Sequence, residues 1–200
     1  MNAPVRPSAD LPRRLFTTQD VFRMVEAGVM KSDENVELIG GELVVMAAKK
    51  NDHEIFKSAL NEWLVKGKAD DQRVGVETTL YLAEMLFVEP DLMLYPRALK
   101  PQDVSGGDVT LLIEVSDDSL SRDLGLKAAI YADHGVRDYW VVDVEARRVI
   151  VHRDPTDERY RSVETFAADA EVVALLAPEL RLKLAALLGD ARPSGPGPSR

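Results

Sequence analysis

The chain has 200 residues, of which 46% are hydrophobic and 30% charged, the balance of an ordinary soluble domain with enough apolar material for a core. It contains no cysteine, which excludes disulfides and zinc–thiolate sites and fits a reducing cytoplasm. Its net charge of −9 argues against a protein that grips long stretches of nucleic acid through its own overall field, and suits a site that concentrates a divalent cation.

In chain order, residues 1–14 are Pro- and Arg-containing and aperiodic, and are expected to form a flexible arm. They lack an apolar signal-peptide core, and no run approaches the ~18 apolar residues of a membrane helix, so no membrane partner is expected. Thr17 with Asp20 three residues later has the spacing of a helix start, and Val21, Phe22 and Val25 give a short helix its apolar face up to Gly28. Residues 36–46 read as a hairpin turning at Gly40-Gly41. The apolar stripe Phe56, Leu60, Trp63, Leu64 predicts a helix over 52–66, with His53 on the same face one turn earlier.

Two strands are expected next, 73–82 and 87–95, then a loop rich in Pro, Gly and Asp. The strand around Glu114 follows, then a helix centred on Lys127. A hairpin of 138–144 with 148–153 turns at Glu145-Ala146. A short strand at 162–166 and a Leu-rich helix at 180–188 close the fold. The pattern predicts an α/β (α+β) fold, a central mixed sheet flanked by helices, as one domain over 15–189 with a disordered tail at 190–200. Trp63, Leu60, Leu112, Ile130 and Trp140 are expected in the core.

Three residues carry the chemistry. Glu114 interrupts the apolar run Leu111, Leu112, Ile113, Val115, where an ionised carboxylate is costly unless it is paired, protonated or bound to a cation. Asp91 follows Pro90 at the start of another apolar segment, and if the two segments pair, the carboxylates approach each other. Lys127 lies in the apolar stripe of its helix, three residues after Leu124 and four before Tyr131. Two acids and an amine at a sheet edge could hold a divalent cation and a phosphate, which points to metal-dependent phosphodiester hydrolysis.

Each residue also has a plainer reading. Asp91 could sit in a turn, Glu114 could face solvent, and Lys127 could form a surface pair with Asp123. His53 could be a packing residue or a metal or phosphate contact, whereas Glu37, Glu42 and Glu77 read as solvated acids. The run Ser116 to Ser119 reads as a helix cap, with no G-x-S-x-G around it. There is also no Walker loop, no G-x-G-x-x-G and no zinc spacing.

On these residues the chain resembles the Uma-two family of restriction-endonuclease-like proteins, within the PD-(D/E)xK nuclease superfamily. The resemblance runs from about Asn35 to Leu188. It rests on ELIGGELVVM before His53, on Glu89-Pro90-Asp91, on IEVSDDS ending at Ser119, and on DLGLKAAIYADHGVRDYWVVD through Asp143. It implies a restriction-endonuclease-like core and a Mg²⁺-dependent hydrolytic site acting on DNA. Asp91 matches the Asp of the superfamily pattern and Glu114 its second acid. The pattern expects lysine at position 116, where this chain has serine, and Lys127 looks like its relocated replacement.

The expectation is therefore an endonuclease in which Asp91, Glu114 and the backbone carbonyl of Val115 hold Mg²⁺ or Mn²⁺, and Lys127 positions water or offsets phosphate charge. Two alternatives stay open: a non-catalytic binding or assembly module that keeps the fold, and a hydrolase of a small phosphorylated ligand. A basic rim of Lys49, Lys50, Arg97 and Lys100 beside the acids would favour the nuclease, and a homodimer could supply further basic surface.

Overall fold

The computed structural model describes residues 12–31, 33–46 and 49–188. Most of the expected N-terminal arm and all of the expected tail lie outside these residues. Within 15–189 the chain packs as two compact units. One comprises the residues up to Met46 with Ala83–Phe87, and the other Ala47–Leu82 with the chain from Val88 onward.

In the first unit, helix α1 (Thr18–Glu26) starts at a reciprocal cap: the Thr17 hydroxyl accepts from the Asp20 N–H, and the Asp20 carboxylate accepts from the Thr17 N–H. Strands β1 (Val36–Ile39) and β2 (Glu42–Val45) form the expected hairpin. At the turn, Gly41 has φ 80°, and a Cβ there would come within 2.7 Å of the Leu15 Cβ, so only glycine fits. Glu42 pairs with Arg13 on the surface, whereas Glu37, expected in solvent, is fully buried.

The second unit begins with α2 (Asn51–Gly67), which turns His53, Phe56, Leu60 and Leu64 inward as the stripe predicts. Strands β3 (Gln72–Val76) and β4 (Leu80–Ala83) replace the single strand expected over 73–82. The break lies at Glu77, whose left-handed φ of 47° cannot continue a strand and whose N–H donates to the Asp91 carbonyl. Strand β5 (Leu86–Val88), whose first two residues belong to the first unit, and strand β6 (Leu92–Pro96) likewise replace one expected strand. Pro90 has no N–H to offer a ladder, and it leaves Asp91 in a bend at the head of β6.

Strand β7 (Leu111–Ser116) leads into a helical segment composed of α3 (Leu120–Arg122), a π turn (Asp123–Lys127) and α4 (Ala128–Asp133). Then come β8 (Asp138–Asp143), β9 (Arg148–Thr156) and β10 (Arg159–Ala167), the last longer than expected. The helix expected over 180–188 is shorter: β11 (Val172–Val173) pairs with β12 (Arg181–Leu182), and α5 (Leu184–Leu188) follows. Leu180, Leu182 and Leu184 are all buried and two residues apart, a strand period inside a leucine-rich run of helical composition.

Six strands form the central mixed sheet in the order β10-β9-β8-β7-β6-β3, with β7 and β8 parallel and the other neighbours antiparallel. Leu92, Leu94, Leu111, Ile113, Val115, Trp140 and Val142 pack on Phe56, Leu60 and Leu64 of α2. The opposite face carries Glu114 and meets the helical segment through Tyr131. The fold is thus a mixed α+β architecture with helices on both faces of its sheet. Leu60, Leu112 and Trp140 are fully buried as expected. Trp63 is only half-buried, its indole N–H on the Arg181 carbonyl, and Ile130 is half-buried because Lys127 and Tyr131 take the inward face.

Candidate active site

The antiparallel register of β6 and β7 sets Leu92 opposite Ile113, and one step further it brings Asp91 to Glu114. Backbone groups lock the two acids together. The Asp91 N–H donates to Glu114 Oε2 at 3.2 Å, and the Val115 N–H donates to Asp91 Oδ2 at 2.8 Å. Neither carboxylate is solvated: Asp91 is 5% exposed and Glu114 4%.

Lys127, 1% exposed, donates to Glu114 Oε1 at 3.0 Å, and Tyr131 one turn later donates to the same oxygen at 2.7 Å. The reading of Lys127 as a solvent-exposed pair with Asp123 therefore does not describe this protein. Asp123 is itself buried and accepts from the hydroxyls of Ser116 at 2.6 Å and Ser119 at 2.5 Å. Ser116 thus ties the end of β7 to the helical segment that carries Lys127.

Asp91 collects further cations. His53 Nε2 lies 3.2 Å from Asp91 Oδ2, and Lys49 Nζ donates to Asp91 Oδ1 at 3.1 Å. Glu77 accepts from both Lys49 and Lys57, and Lys57 also donates to Glu54 at 2.7 Å. Glu77, expected in solvent, is therefore part of the cluster, and His53 contacts an acid of the site instead of serving only as packing.

Lys57, Glu54 and Tyr131 went unread in the sequence, although signals for two of them were present. His53 and Lys57 are four residues apart, and Tyr131 follows Lys127 by four, so each pair can share one helical face. The proposed basic rim divides. Lys50 holds Asp117 and Asp118, at 3.6 and 2.6 Å, while Arg97 and Lys100 lie beyond the far end of β6 from Asp91.

The two acids titrate in opposite directions. Burial pushes Glu114 up to about 8 against the attraction of Lys127, and the charges of Asp91 and Asp123 push the same way. Asp91 is buried too, but the hydrogen bond and charge of His53, the Lys49 ammonium and the Val115 N–H outweigh that and hold it well below the usual carboxylate range. His53 is raised in return: burial opposes its charge, and Asp91 prevails. Burial also opposes the Lys49 ammonium, which Asp91 and Glu77 hold above the ordinary lysine range. Two neighbouring acids whose surroundings push their titration in opposite directions are an arrangement typical of catalytic carboxylates. Among the described residues no set of three or more His, Asp or Glu side chains stands ready-made for a metal ion.

A family described as Uma2, "Putative restriction endonuclease", matches residues 19–185. The chain belongs to the Uma2 family. A solved structure from Anabaena variabilis, described as "a putative nuclease belonging to DUF820", is similar to this Uma2 protein with a TM-score of 0.62 and 19% identity. The likeness covers 86% of this chain and 97% of that one, and shows a shared fold. The type IIG restriction endonuclease BpuSI matches 72% of this chain and 18% of its own, at a TM-score of 0.42 and 14% identity, too low to carry an argument. No curated protein matches the chain. No helix among the described residues is long and apolar enough to cross a membrane.

Proposed function

We propose that this Uma2 protein is a Mg²⁺- or Mn²⁺-dependent endonuclease that hydrolyses phosphodiester bonds in DNA at the Asp91–Glu114 pair. The observation that carries the reading is the pair itself: two buried carboxylates joined by backbone hydrogen bonds, with a buried lysine on one of them. Membership of a family described as "Putative restriction endonuclease" supports DNA as the substrate.

The donor set fits a hard divalent cation, which prefers oxygen ligands and keeps some of its waters. Asp91 and Glu114 would hold it, with the Val115 carbonyl as a third oxygen. When bound, such an ion polarises the phosphate and lowers the pKa of the attacking water. The chain's own groups do the rest. The Val115 N–H and His53 fix the Asp91 carboxylate. Tyr131 and Lys127 fix that of Glu114 and set a positive charge next to it, available to the negative charge that builds on the phosphate during displacement.

Plasmid nicking tests this directly. Cleavage should require Mg²⁺ or Mn²⁺, stop with EDTA, and vanish in Asp91→Ala and Glu114→Ala, while Lys127→Ala should lose turnover but keep its Mn²⁺-induced rise in melting temperature. Equal cleavage by all three variants would place the activity elsewhere. Mn²⁺ binding with no cleavage of any nucleic acid would favour the binding module, which the net charge of −9 already suits.

A further inference from the structure

The two oxygens of Asp91 are held in different ways. Oδ2 is engaged by the Val115 N–H, on a central strand, and by His53, in the first turn of α2, and both donors are fixed by the fold. The donor on Oδ1 is the ammonium of Lys49, on a flexible four-carbon stem that precedes α2. The Lys49 side chain is 23% exposed and has a route to water, whereas that of Lys127 is 1% exposed and has none. The same Lys49 ammonium also sits on Glu77, whose backbone N–H ties it to the Asp91 carbonyl. Lys49 therefore bridges two carboxylates at the edge of the site, a position that a divalent cation would favour.

We propose that Lys49 is an exchangeable counter-cation of the metal site: its ammonium occupies Asp91 until a divalent cation displaces it, and Glu77 retains it beside the site. This rests on the reading of Asp91 and Glu114 as metal ligands. A dication brought up to Asp91 with Lys49 still in place would meet a like charge at close range in a partly desolvated setting, so the two exclude each other. Exchange keeps a buried carboxylate from ever being bare, and its cost is metal affinity, because every binding event must first break an ion pair. The displaced Lys49, held on Glu77, leaves a positive charge near the site in a chain whose overall balance is acidic.

Calorimetric titration of the full chain with Mn²⁺ alone tests the exchange without recourse to activity. Lys49→Met should bind about tenfold more tightly than the parent or better, equivalent to ~1.4 kcal/mol. Lys49→Arg keeps the competing charge and should bind as the parent does. Lys50→Met removes a neighbouring charge that pairs with Asp117 and Asp118, and should change little. Asp91→Asn should abolish binding. If Lys49→Met melts abnormally without metal, Lys49→Gln takes its place.

Equal or weaker binding by Lys49→Met, with binding still lost in Asp91→Asn, would overturn the exchange and leave the metal site standing. Equal tightening by Lys49→Arg, or by Lys50→Met, would overturn it too, since neither the charge nor the contact would then matter. Binding that survives Asp91→Asn, or no binding by any variant, would remove the metal site and the exchange with it.

Discussion

The two faces of the central sheet are equally sealed from water and chemically opposite. On one, Leu111, Ile113 and Val115 of β7 join Trp140 and Val142 of β8 against α2, an aliphatic layer with one aromatic anchor. On the other, the same strands present Glu114, Ser116 and Tyr139, met by Asp123, Lys127 and Tyr131 of the helical segment. Successive residues of one strand thus do different work. The first face gains stability from every methylene it buries. The second must satisfy each polar group with a partner, and a buried ion pair adds little net stability over apolar side chains of the same shape. The π turn at Asp123–Lys127 lies on this second face, in keeping with the tendency of such turns to occur at functional sites.

The largest effect expected from this contrast is on the aliphatic face. Ile113→Ala should cost roughly 2–5 kcal/mol in chemical denaturation, because its fully buried side chain leaves a cavity under α2. A loss well under 1 kcal/mol would mean that this face does not hold the sheet to α2. A smaller effect is expected one residue away in the pattern. Lys127→Met should cost only about 1–2 kcal/mol, not the 3–5 kcal/mol of a stranded buried charge, because Glu114 can take up a proton and methionine fills the vacated volume. A loss in the higher range would show Glu114 trapped as an anion, and would make the polar face as structural as the aliphatic one.

Much of this contrast was legible in the sequence. Alternation made Glu114 conspicuous among Leu111, Leu112, Ile113 and Val115, and the helical stripe placed Lys127 and Tyr131 on one side. The mixed sheet followed from the strand runs. What stayed hidden depends on backbone conformation or on partners distant in the chain. Glu77 adopts a left-handed conformation that breaks a strand of favourable composition, and its role comes from Lys49 and Lys57, 28 and 20 residues away. Leu180, Leu182 and Leu184 have both a strand period and a leucine-rich helical composition, and only the pairing of β12 with β11 decides between them. Arg97 and Lys100 resemble a basic rim until the direction of β6 carries them away from Asp91.

The contrast also sets the pH dependence of stability in the metal-free protein, whose sign follows from where protons are held. Glu114 releases its proton near its ordinary value of 4.5 in the unfolded chain, and near 8 in the fold. Between those values the folded state binds more protons, so raising the pH favours unfolding. His53 adds the same sign higher up, since the stability from its raised pKa is present below 6.5 and lost as the pH rises through its folded value. Asp91 acts oppositely and elsewhere: its contribution is present above 3.8 and fails only as the pH falls below that. In EDTA, stability should therefore decline between about pH 5 and pH 8, by at most about 1.4 kcal/mol per pH unit for one proton. Glu114→Gln keeps the neutral shape and removes the titration, so its decline should be shallower, leaving the part due to His53. An equally steep decline in Glu114→Gln would mean that Glu114 is already ionised against Lys127 at neutral pH, and the polar face would then be held together by a true ion pair instead of a proton.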